Sequence, residues 1–252
     1  FSGCGGLDLG FKQAGFNILW ANDFDKDSVK TYRENIGEHI FLGDITEIPS
    51  KVIPSDFDVL LGGFPCQGFS VANTKRSMKD ARNYLYLEML RVIKDKKPKF
   101  FVAENVKGLL SMEKGAVIEM IVKDFEKIGY KVDYRLLTAS DYGVPQHRER
   151  VFIIGNRIGK ENLFPKMTHG LKNNPFNPKL EPYISTKAAI GHLANVRTRD
   201  KSFRHKNVTI HNHVARMNIS DKFGVENMPL INMIFVITSE NGKKIVDGQQ
   251  RK

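Results

Sequence analysis

Short apolar runs alternate with longer stretches of helical periodicity as far as about residue 157, and then the alternation stops. Phe16–Ala21, His39–Leu42, Val59–Leu61, Lys99–Ala103, Tyr130–Thr138 and Arg150–Asn156 read as strands. Leu7, Leu9 and Phe11 open a helical pattern, and Lys26–Asn35, residues 82–95 and residues 115–128 continue the series. In the last of these, Val117, Ile118, Ile121, Val122, Phe125 and Ile128 recur on one helical face, and Gly129 stops it. Strand and helix in strict turn predict an α/β domain whose sheet is mostly parallel, with helices on both faces.

Past that point the chain changes character. Pro165, Pro175, Pro178 and Pro182 punctuate a stretch of weak periodicity, and the short apolar pieces Ile184–Leu193 and Met228–Ile237 sit among basic and polar residues. The expected division is a domain over residues 1–160 and a smaller, irregular, incomplete one over 161–252. Charge follows the same division. Of the formal +11, residues 1–150 carry +1 and residues 151–252 carry +10. A basic excess confined to one part of a chain suits a polyanion, although a lysine-rich solubilising surface gives the same count. No apolar run reaches the roughly 18 residues of a membrane-spanning helix. The two cysteines, Cys4 and Cys66, form neither a disulfide framework nor a zinc set and suit a reducing cytoplasm. His211 and His213 lack a third ligand nearby, so no metal is expected.

Chemistry-bearing residues fall at strand ends. Val59–Leu61 is closed by two glycines, and Phe64-Pro65-Cys66-Gln67 follows. Open α/β sheets place their ligands at carboxyl strand ends, and proline stiffens the turn that presents the sulfur. Cys66 is therefore a candidate nucleophile, against the commoner fate of a lone cysteine as small core filler. Asp44 and Glu104 stand at two other strand ends. A thiolate beside a carboxylic acid suits attack on an electron-poor ring while a ring nitrogen is protonated. Arg148 and Arg150 alternate with His147 and Glu149, so both arginines share one face of an extended segment. They could hold a carbonyl oxygen or a phosphate, or lower the thiol pKa. At the front, Gly3, Gly5 and Gly6 form a turn entering a helix, where backbone N–H groups can approach a ligand closely. Such a turn normally follows a buried strand, so a trimmed front is expected. Asp23 lies about 20 residues on, where a nucleoside-binding unit places a ribose-binding carboxylate. Capping of the next helix is the alternative for Asp23 and Asp25.

In this order the motifs resemble those of the cytosine-C5 DNA methyltransferases. Phe1-Ser-Gly-Cys-Gly-Gly, with Leu7, looks like that family's cofactor turn. Asn22-Asp23, with Thr31-Tyr32 and Asn35-Ile36-Gly37 after it, looks like its second motif, with Asp23 in place of the usual Glu. Gly43-Asp44-Ile45 resembles the third, Gly63-Phe64-Pro65-Cys66-Gln67 with Ser70 the catalytic motif, and Asp80 to Leu85 the fifth. Glu104-Asn105-Val106 resembles the sixth and Gln146-His-Arg148-Glu-Arg150 the eighth.

The resemblance implies a Rossmann-like class I fold binding S-adenosylmethionine, with S-adenosylhomocysteine as product. The cofactor would lie against Phe1, Gly3, Gly5, Gly6, Leu7, Asp23, Phe24, Asp44, Ile45, Pro65 and Leu85, with Phe1 stacked on the adenine. It further implies that a cytosine is flipped from double-stranded DNA, that Cys66 attacks C6, and that Glu104 binds N3 and the exocyclic amine. Arg150 would hold O2 with Arg148 assisting. Asn105 would brace the Pro65 turn, and Phe64, Gln67, Ser70 and Gln146 would support the site or contact DNA, with the basic 71–81 loop as a lid. Residues 166–252 fit the start of a target-recognition region, and the family's two closing motifs are not found. The expectation is a cytoplasmic, monomeric DNA (cytosine-5)-methyltransferase of restriction–modification type. Its partner would be a cognate endonuclease, or a second polypeptide supplying the missing motifs. A transfer-RNA-directed relative and an inactive DNA-binding subunit are the alternatives.

Overall fold

The computed structural model describes residues 1–65, 85–171 and 179–191. Two short parallel strands, β1 (Ala21–Asp23) and β2 (Ile40–Leu42), form one sheet. A second holds β3 (Val59–Gly62), β4 (Phe100–Val106), β5 (Lys131–Thr138) and β6 (Glu149–Asn156) in the order β3-β4-β6-β5. β3 and β4 are parallel, and β6 runs antiparallel to both of its neighbours. The expected α/β architecture is present, with β6 as the one reversed strand among those described.

Helices cover both faces of the larger sheet, and this explains the continuous apolar run Phe100–Ala103. Phe101 and Ala103 of β4 and Val151 and Ile153 of β6 pack against α3 (Leu85–Lys96) and α4 (Ala116–Lys127), through Ile93, Ile121 and Phe125 among others. Phe100, Val102 and Phe152 point the other way, onto Phe11 of α1 (Gly6–Gln13) and onto Tyr142. A strand buried on both sides carries no polar alternation. Around β1, a smaller cluster joins Ala21 and Ile40 to Val29, Tyr32 and Ile36 from α2 (Lys26–Asn35) and the residue that follows it.

Two strand boundaries differ from expectation. Phe16–Trp20 is irregular, and regular pairing begins only at Ala21. Ile18, Leu19 and Trp20 line a cleft of about 500 Å³ between the two sheets, and no strand pairs with them among the described residues. Ala21 and Asn22 form one wall of this cleft and Val59 to Gly62 the other. Trp20 is half-buried where it lines this cleft. At the other boundary, β4 runs through Val106 rather than stopping at Ala103. The antiparallel ladder carries it on, pairing Glu104 with Phe152, Asn105 with Val151 and Val106 with Arg150. Glu104 and Asn105 are thus strand residues, not residues of the turn beyond.

Beyond residue 157 the described residues are 158–171 and 179–191, with little regular structure. They contain β7 (His169–Gly170) paired with β8 (Glu181–Pro182), and α5 (Thr186–Ile190), whose first turn is capped by the Ser185 hydroxyl accepting from Ala188 N at 3.1 Å. Among the described residues no helix is long and apolar enough to cross a membrane.

Candidate active site and cofactor cradle

The carboxyl ends of β3 and β4 reach the same edge of the sheet. Because β6 is antiparallel, its first residues reach that edge too. The Val106–Arg150 pairing sets Arg150 diagonally across from Glu104 on one face, within reach of a long side chain. Arg150 Nε lies 2.8 Å from Glu104 Oε1, with about a quarter of each side chain exposed. Arg150 also donates to its neighbour's carbonyl, from Nη1 to Glu149 O at 2.8 Å. Arg148 shares this field: partial burial and the neighbouring Arg150 hold its guanidinium below the usual arginine range, and Glu104 opposes them. On the far side of the segment, Lys107 Nζ meets both Glu149 carboxylate oxygens at 2.8 Å. That contact holds the Glu149 carboxyl below the usual carboxylate range.

Asn105 points into the opposite face and is fully buried. Its Nδ2 donates to the Phe64 carbonyl at 3.1 Å, and its Oδ1 accepts from Val106 N at 2.8 Å. This hydrogen bond ties the end of β4 to the residue before Pro65. The Phe64 ring is buried beside Tyr86, whose hydroxyl is fixed on Asp124. A Cβ built on Gly63 would lie 3.6 Å from Glu104 Oε2 and 3.8 Å from the Phe1 carbonyl oxygen. The front of the chain, the β3 turn and the Glu104–Arg150 pair therefore converge at one point. Cys66, the candidate nucleophile, together with Gln67 and Ser70, the 71–81 loop, and His211 and His213, lies outside the described residues.

The glycine turn packs beside this point. Asp23 closes β1 and accepts Gly3 N on Oδ2 at 2.7 Å and Asp25 N on Oδ1 at 3.0 Å. Asp25, not Asp23, caps α2, taking Ser28 N on Oδ1 at 2.7 Å. The capping reading therefore belongs to Asp25. Each Asp23 oxygen keeps a lone pair that a sugar hydroxyl could use. Gly5 has φ +86°, and a side chain there would overlap Ile36 and Tyr32. Gly6 opens α1, and Leu7 packs on the core behind it. Phe24 follows β1 and is 71% exposed, an apolar residue left outside the core. The Phe1 ring is instead half-buried against the core. Asn22 ties the second strand end in, donating from Nδ2 to Phe41 O at 3.1 Å and Gly43 O at 2.8 Å. Asp44 shapes the next turn, its Oδ1 accepting from Thr46 N and Thr46 Oγ1. Ile45 is buried and Leu85 begins α3. Gln146 is exposed before β6, its N–H on the Val144 carbonyl. An exposed ring, a carboxylate and a glycine turn side by side are a donor set that fits an adenosine cofactor.

This is a Rossmann-like α/β fold with a glycine turn tied to a strand-end carboxylate and a carboxylate–guanidinium pair at the carboxyl edge of its sheet. A family model, the C-5 cytosine-specific DNA methylase, matches residues 1–251, and the chain belongs to that family. It is 45% identical over 196 residues to the Type II methyltransferase M.NgoFVII of Neisseria gonorrhoeae, covering 77% of this chain and 52% of that protein. It is 42% identical over 214 residues to M.AquIA of a Picosynechococcus strain, covering 77% of this chain and 86% of that protein. A crystal structure from an E. coli prophage, assigned as a DNA modification methyltransferase, superposes with a TM-score of 0.59 at 29% identity, covering 75% of this chain and 52% of that one. The chain thus spans about half the length of most of the curated relatives it matches.

Sequence reasoning passed over two sets of residues that shape this region. Lys107 and Glu149 steady the arginine segment, and Arg91 ties α3 to the 45–50 segment. An arginine between Leu90 and Val92 in an amphipathic helix reads as a solvated charge, and no spacing in the sequence marks it otherwise.

Proposed function

We propose that this chain carries the cofactor-binding and catalytic part of a DNA (cytosine-5)-methyltransferase of the restriction–modification type. Residues 161–252 would begin its DNA-recognition region. The observation that carries the reading is the Glu104–Arg150 pair beside a turn that runs directly into Pro65-Cys66. S-adenosylmethionine, when bound, supplies an electrophilic methyl group. Phe24, Asp23, the Gly3–Gly6 turn and Asp44 would hold it, the ring by stacking and Asp23 through the ribose hydroxyls.

The cytosine ring is electron-poor at C6 when N3 takes a proton. Glu104 sits where a carboxyl could accept the exocyclic amine and deliver that proton. Arg150 already orients Glu104 and has further N–H groups to offer the O2 oxygen. The Cys66 thiolate would form a bond to C6 as the C5–C6 π pair moves to C5, and C5 would then take the methyl carbon as that carbon's bond to the donor sulfur breaks, leaving S-adenosylhomocysteine. Loss of the C5 proton to a base returns the pair to the ring and expels the thiolate. Asn105 holds the Phe64 carbonyl and so anchors the start of the turn that leads to Cys66.

Duplex DNA containing 5-fluorocytosine tests the reading, because fluorine blocks the last proton loss. With cofactor present, a covalent protein–DNA adduct is expected, and it should vanish in Cys66→Ala. An adduct that survives this substitution sinks the nucleophile assignment. RNA trapped in preference to DNA selects the transfer-RNA-directed alternative. A folded chain that binds DNA and yields no adduct across a random-sequence pool selects the inactive-subunit alternative.

A further inference from the structure

We propose that Arg91 is a positioning residue for the cofactor: from α3 it holds the 44–50 segment in the shape that presents Asp44. The inference rests on the cofactor reading given above. Arg91 Nη2 donates to the Ile45 carbonyl at 3.0 Å and the Ile48 carbonyl at 3.1 Å, and Nη1 donates to Ser50 Oγ at 2.7 Å. Nε is set by Glu88 Oε2 at 2.8 Å. Ser50 is held in turn by Asp95, on the next turn of the same helix. One guanidinium therefore gathers three points of a six-residue stretch onto one helix (residues 45–50).

That stretch follows Asp44 directly. The Ile45 carbonyl also accepts from Ile48 N at 3.3 Å, and the Asp44 carbonyl accepts from Glu47 N at 3.0 Å. The turn is closed on itself and then pinned from outside. Val92, beside Arg91, packs on Ile45, Ile48 and Ile53, so the apolar and polar halves of the contact come from adjacent residues of α3. Leu85, another candidate cofactor residue, begins the same helix. Arg91 thus links two cofactor segments while the structure gives it no place among the ligand-facing groups. A planar fork can reach several acceptors at fixed angles, which a lysine ammonium cannot.

Calorimetric titration with S-adenosylhomocysteine tests this on the full chain. Arg91→Met keeps the stem and removes the donors. It should weaken binding by about tenfold or more, because the loop must be ordered on binding. Arg91→Lys should fall between it and wild type, and it carries the test if Arg91→Met does not fold. Val132→Ala, in β5, serves as a destabilised control that should leave the affinity unchanged. Amide exchange in residues 44–50 should quicken in the Arg91 variants and not in the control. Where turnover is measurable, KM for the methyl donor should rise with kcat preserved at saturation. Wild-type protein that fails to bind S-adenosylhomocysteine overturns the cofactor reading itself. Wild type that binds, with both Arg91 variants binding as tightly, overturns the positioning role alone. An affinity loss in Val132→Ala equal to that of the Arg91 variants also overturns it.

Discussion

Glu104 and Arg150 form a partly exposed ion pair, and such pairs contribute little to stability on their own. Their value lies in geometry, since each orients the other toward whatever enters from the sheet edge. Glu104→Gln keeps the shape and removes the acid. Methyl transfer should fall by roughly 10²–10⁴-fold with Tm nearly unchanged, as read by tritium incorporation and thermal melts. A variant within tenfold of wild type would remove Glu104 from the chemistry. Asp8 is the opposite case, a buried carboxylate whose Oδ2 has no hydrogen-bond partner among the described residues. Burial raises its pKa above the usual carboxylate value. The folded state therefore holds the proton to higher pH than the unfolded chain does. That contribution is full below the ordinary carboxylate value and is lost as pH rises through the raised one. Asp8→Asn should raise Tm over wild type at pH 8, and the gain should shrink toward pH 4. A difference between the two that is flat with pH would mean that Asp8 does not titrate in this way.

At the scale of elements, the outcome depends on what fixes each boundary. The alternating pattern marks α2 and α4 well because their own residues decide them: Asp25 caps one, and Val117, Ile118, Ile121 and Phe125 bury one face of the other. α4 in turn holds the sheet, with Phe125 and Phe101 rings 4.4 Å apart between centroids. Phe125→Ala should cost about 3–5 kcal/mol in denaturant unfolding, since nothing nearby can fill the space. A cost below about 1 kcal/mol would mean the site collapses freely. The strand ends were less legible. Phe16–Trp20 has strand composition but no partner strand among those described, and a strand forms only where a neighbour completes its hydrogen bonds. β4 outruns its apolar run because β6 pairs with Glu104 and Asn105, a long-range contact that no local window contains. Site residue types were readable from motif order, whereas Arg91 and Lys107 act through contacts over 40 positions in sequence, which leave no periodic trace.

Across the whole molecule, charge and fold divide the labour differently from one another. The α/β part, nearly neutral in sum, holds the glycine turn and the acid–guanidinium pair. The following part carries most of the +11. Duplex DNA binding by the full chain should therefore weaken steeply with salt, by about 10³-fold or more between 50 and 200 mM if six or more phosphates are met. Fluorescence anisotropy against salt concentration reads this directly, and a flat response would return the basic excess to mere solubility.

The reversed direction of β6 has a consequence for how this protein can vary. Register across a ladder is a ruler with a two-residue period. The Val106–Arg150 pairing places the guanidinium on the same face as Glu104. A single residue inserted between Arg150 and Val151 would move Arg150 to the other face if the rest of β6 kept its packing, and the carboxylate would lose its counter-charge. The same insertion a few positions earlier, at exposed Gln146 or His147, leaves the ruler unread. Length changes should therefore be tolerated up to the threshold of this strand and not beyond it.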